Sequence, residues 1–72
     1  MVHERKMKMI LTERKQDGTS GLQFEISPDE IKTVHTHNGV TYVKPFLGEE
    51  TAVQEDVTSI MTAMMMWGFN HE

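Results

Sequence analysis

Asn38-Gly39 stands between two β-rich runs, Lys32 to His37 and Val40 to Lys44, and it constrains the chain's geometry more than any other dipeptide. A two-residue connection between antiparallel strands needs left-handed backbone, which asparagine and glycine adopt at least cost, so the pair predicts a tight hairpin. Direct pairing then sets Val34 opposite Val43 and Thr36 opposite Thr41 on one face. The other face takes His35 opposite Tyr42 and His37 opposite Val40, with Ile31 and Phe46 near its base. The alternation leaves open which of the two faces meets a core.

A second hairpin precedes it. Met7 to Glu13 suits helix or strand by propensity alone. Pairing decides for strand: a two-residue turn at Asp17-Gly18 places Leu11 opposite Phe24 and Met9 opposite Ile26, while Thr12 meets Gln23 and Ile10 meets Glu25. One face is apolar and the other mostly polar, and a slip of one residue destroys the match. Between the hairpins, Pro28 breaks the strand pattern, and Ser27 is placed to cap a short helical turn.

Pro45 closes the fourth strand, and a helix follows. Thr51 with Gln54 three residues later has the form of a capping box, and Glu49, Glu50, Glu55 and Asp56 lie near the positive end of the helix dipole. Val53, Val57, Ile60, Met61, Met64 and Trp67 recur at helical spacing, with Glu55, Thr58, Ser59 and Thr62 opposite. Gly68 suits the left-handed position just past the end, with Phe69 folding back on Met64. The expected fold is α+β, two β-hairpins forming a small antiparallel sheet with one C-terminal amphipathic helix packed on it (ββββα), as a single domain over residues 1–72.

A chain of 72 residues buries only roughly 60% of its unfolded surface, so its stability calls for help beyond a small core. Cysteine is absent, which removes disulfides and thiolate metal sites and leaves oligomerisation, a partner or good packing. No apolar run approaches the ~20 residues that span a bilayer, and Met1 to Lys6 leads into no signal-type stretch. A cytoplasmic protein without membrane contact is expected, and the lack of cysteine fits a reducing compartment.

The net charge of −4 conceals an asymmetry: up to Lys15, Arg5, Lys6, Lys8, Arg14 and Lys15 outnumber Glu4 and Glu13, so the acidic excess lies in the rest of the chain. The plain reading of both regions is solvated surface.

Function is to be sought in the stretch from Ile60 to Phe69, where four methionines and two aromatics fall within ten residues. Helical angle assigns Met61, Met64 and Trp67 to the core. Met65 at the stripe's edge and Met66 on the polar side are surplus to a monomer, and methionine adapts well to irregular partners. The expectation is a small non-enzymatic protein-interaction module, a regulator, inhibitor or accessory subunit, docking to a protein partner or to itself as a homo-oligomer, with a dimer first. Met65, Met66, Trp67 and Phe69 supply the contact, and no cofactor is involved.

Two other readings are weighed beside it. Lys6 and Lys8 on the first strand, joined by Arg14 and Lys15 at the turn, suit a phosphate backbone, with Trp67 and Tyr42 for stacking, which describes a nucleic-acid-binding accessory protein. His35 and His37 alternate on a strand and point the same way, as two ligands of a divalent metal do, with His3, His71 or a glutamate to complete the set. Catalysis is the poorest case: Ser20, Ser27 and Ser59 fall in a turn, a breaker and a polar helix face, and no glycine-rich phosphate loop occurs.

Overall fold

The computed structural model describes residues 8–71, with residues 67–71 described by backbone alone. It is α+β: a five-stranded antiparallel sheet with one C-terminal helix packed on it. Strands β1 (Met9–Arg14) and β2 (Ser20–Ile26) form the first hairpin, and β3 (Ile31–His37) and β4 (Val40–Pro45) form the second. Strand β5 (Thr51–Val53) and helix α1 (Val57–His71) follow. The order across the sheet is β2-β1-β5-β4-β3, so β5 lies between the hairpins and joins them.

Both strand registers agree with the alternation of the sequence. In the first hairpin Met9 pairs with Ile26, Leu11 with Phe24 and Thr12 with Gln23. The turn differs from the two-residue form. Lys15 N–H donates to Thr19 O at 2.8 Å and Gly18 N–H to Lys15 O at 2.9 Å, with Gly18 at φ 90°, which makes a three-residue loop of Gln16, Asp17 and Gly18. An irregularity between Thr12 and Arg14 absorbs the difference, because β2 spends Gly21 and Leu22 against Glu13 alone. A Cβ on Gly21 would fall against the Glu13 side chain, so glycine suits the bulge.

In the second hairpin Val34 pairs with Val43, His35 with Tyr42 and Thr36 with Thr41, around Asn38 and Gly39 at φ 53° and 77°. The face carrying Thr41 and Val43 is the buried one. Strict alternation puts Ile31 on the opposite, histidine face. The structure puts it in the core, because a bulge between Ile31 and Thr33 adds Lys32 to β3 and turns Ile31 over. Pro28–Glu30 forms a single 3₁₀ turn in which Ser27 N–H donates to Glu30 Oε1 at 2.8 Å.

The segment from Thr51 to Asp56 departs most from expectation. Thr51 does not cap a helix; it begins β5, pairing with Val43, while Ala52 pairs with Tyr42 and Val53 with both Thr41 and Glu13. Gln54 N–H donates to Thr12 O at 2.9 Å. Where the strand ends, side chains continue its work: Glu55 accepts from Thr12 N–H at 2.8 Å and from the Thr12 hydroxyl at 3.0 Å. Gln54 Nε2 donates to Gly18 O at 2.9 Å. The helix starts at Val57, and Asp56 caps it by accepting from Ser59 N–H at 2.9 Å. At the other end α1 runs through Gly68 to His71, so the expected helix stop at Gly68 does not form.

Leu11, Ile26, Ile31, Val43, Val53 and Ile60 make the core, with Met9, Phe24, Val34 and Met64 packed against it. The helix lies over β3 and the 3₁₀ turn, near one side of the sheet. Its contact stripe is therefore narrow, and Met61, expected inside, is 51% exposed. Among the described residues no helix is long and apolar enough to cross a membrane.

Two predictions follow from the join between the hairpins and from the turns. Glu55→Ala leaves Thr12 N–H without its acceptor and lowers unfolding free energy by about 1–3 kcal/mol, read from urea denaturation, with Glu55→Gln retaining part of it. Asp17 is held below the usual carboxylate range by the Thr19 hydroxyl and then its N–H, and Asp56 by the Ser59 hydroxyl and then its N–H. A depressed pKa in the folded state stabilises above the unfolded value and is lost as pH falls through the folded one, here below about pH 4. The urea midpoint of D17N/D56N should fall less steeply than that of the parent chain between about pH 5 and about pH 3.

Candidate functional site

A concave apolar surface lies where α1 runs beside β3, which is an edge strand. Lys32, Thr33 and Val34 form one wall of a shallow groove of about 440 Å³, and Met61, Met64 and Met65 form the other. Three features position it. The Asp56 cap fixes where the helix begins, Ile60 anchors it in the core, and the β3 bulge sends Ile31 inward while Lys32 stays at the groove. Met61 and Met65, four residues apart, share a helix face.

The methionines of the helix divide by environment. Met64 is half-buried and packed on the core, whereas Met65 and Met66 are 63% and 54% exposed. The Trp67 and Phe69 side chains lie outside the described residues. Helical angle alone assigns Met61 to the core and misses its place in this surface. Its exposure depends on how far the helix sits toward β3, which the helix's own sequence does not encode. Other large apolar side chains are exposed elsewhere: Phe46 and Leu47 follow β4, Leu22 is on β2 and Ile10 on β1.

The remaining candidates are spread out. Lys8 precedes β1 and Lys15 follows it, so the strand holds them about 24 Å apart at ~3.4 Å per residue. Arg14 donates from Nη1 to Gln54 Oε1 at 3.4 Å and so takes part in the join between the hairpins. Lys6 lies outside the described residues.

His35 and His37 are exposed on the sheet face away from the core. The His35 ring stacks on Tyr42 with centroids 5.5 Å apart at 20°, and its Nε2 lies 3.6 Å from Glu50 Oε2. Among the described residues no group of three or more histidine, cysteine, aspartate or glutamate side chains is placed to hold a metal ion. His3 and the His71 side chain lie outside the described residues.

The division among methionines is open to measurement. Met64→Ala should cost about 2 kcal/mol of stability, the lower end for truncating a packed methionine, and Met61→Ala should stay within about 0.5 kcal/mol, both by chemical denaturation. No protein-family model, curated protein or solved structure matches this chain.

Proposed function

We propose that this chain is a small non-enzymatic interaction module that docks through the groove between β3 and α1, a second copy of itself being the first partner to test. The observation that carries the reading is the exposure of Met61 and Met65 in the wall of that groove, with Met66 exposed next in the helix. An apolar patch beside a concave surface gains from being covered, and thioether chains fit an irregular partner without a preset shape. The size of the chain supports association as well, since a core of six buried apolar residues among the described ones is modest.

The lining also supports docking over catalysis. Aliphatic and thioether groups with one lysine and one threonine offer apolar contact, and the groove opens widely to solvent, unlike the enclosed pockets that hold small substrates. Lys32 beside the apolar wall would favour a partner with an acidic rim and help to orient it. The absence of cysteine supports a reducing compartment, the cytoplasm, as the place of action. A regulator, inhibitor or accessory subunit is the kind of protein this describes.

The test is the double substitution M65E/M66E. The parent chain should show concentration-dependent association by sedimentation equilibrium, and the variant should be monomeric with an unchanged far-ultraviolet circular dichroism spectrum. A monomeric parent that also retains no partner from its host, or an unaltered association in the variant, would defeat the reading.

A further inference from the structure

We propose that Met61, Met65 and Met66 form an oxidation site, at which a peroxide converts the apolar wall of the groove into a polar one. The chain contains seven methionines and no cysteine, so thioethers are its soft sulfur nucleophiles. Their environments differ. Met61, Met65 and Met66 are 51%, 63% and 54% exposed, while Met9 and Met64 are half-buried against the core. Met61 and Met65 line the groove itself, and Met66 follows Met65 in the helix, exposed but outside the groove lining.

In the reaction the thioether sulfur attacks one oxygen of hydrogen peroxide. A sulfur–oxygen bond forms as the peroxide O–O bond breaks, and the departing hydroxide becomes water as the proton carried by the transferred oxygen is released. Sulfur is oxidised by two electrons and the peroxide is reduced by two. The sulfoxide is polar and strongly hydrogen-bond-accepting where the thioether was apolar, and reductases of the methionine sulfoxide class restore it. Because the exposed sulfurs stand outside the packed core, the change alters the surface and leaves the fold in place. The consequence for docking rests on the function proposed above; the chemistry and the change in surface polarity do not.

The experiment treats the whole chain with hydrogen peroxide for graded times, reading peptide mass spectra, circular dichroism and retention on a hydrophobic-interaction column. One-oxygen adducts should appear at Met61, Met65 and Met66 several-fold sooner than at Met9 and Met64, with the spectrum unchanged and retention shortened. The M61L/M65L/M66L variant replaces the three exposed thioethers with leucine and keeps every other methionine, so its retention should shift several-fold less than the parent's over the same times. Equal rates at Met9 or Met64, unchanged retention of the parent, or an equal shift in the leucine variant would overturn the proposal. A parent chain that is monomeric and partnerless before treatment counts against docking alone, because adduct order and retention are read without a partner.

Discussion

The sheet depends on three residues. Thr51, Ala52 and Val53 pair with β4 on one side, and Val53 pairs with Glu13 of β1 on the other, so β5 makes one sheet of two hairpins. A two-stranded hairpin is at best marginally stable in water, and each of these would be left with one unpaired edge more without β5. Val53 is 1% exposed and belongs to the core, so the same strand supplies both the backbone join and an apolar anchor. Its shortness is offset by Gln54 and Glu55, whose side chains go on bonding the first hairpin after the ladder has ended.

That arrangement accounts for where the groove lies. With β5 in the centre, β3 becomes an edge, and the chain leaves β5 through a short turn into a helix that crosses toward β3. The helix covers the core with Ile60 and Met64 and leaves one flank without a neighbour among the described residues. Met61 and Met65 lie on that flank. The apolar surface is thus a result of where β5 is inserted, as much as of the number of methionines in the helix.

The hairpins were legible because period-two alternation over six or seven residues, matched across a turn, admits one register. The fifth strand was not. Three residues are too few for a period, and Thr51 with Gln54 imitates a capping box, while the working cap is Asp56. The bulges at Gly21 and Lys32 were also hidden, since each is fixed by the strand it faces and not by its own neighbours. Of the candidate site, the exposure of Met65 and Met66 followed from helical angle. Met61 did not, because angle measures direction around a helix and says nothing of how wide the covering sheet is.

The position of β5 also bears on the order of assembly. Each hairpin closes a loop of only a few residues, an event of about 1–10 μs. The bonds from Thr12 to Glu55 instead join groups 43 positions apart, and so carry the entropy of a far longer loop before any contact rewards it. On a ribosome the two hairpins can form as they emerge, yet the central seam of the sheet waits for residues 51–55. Until then both hairpins present open edges, and the nascent chain is at its most adhesive just before its shortest strand arrives.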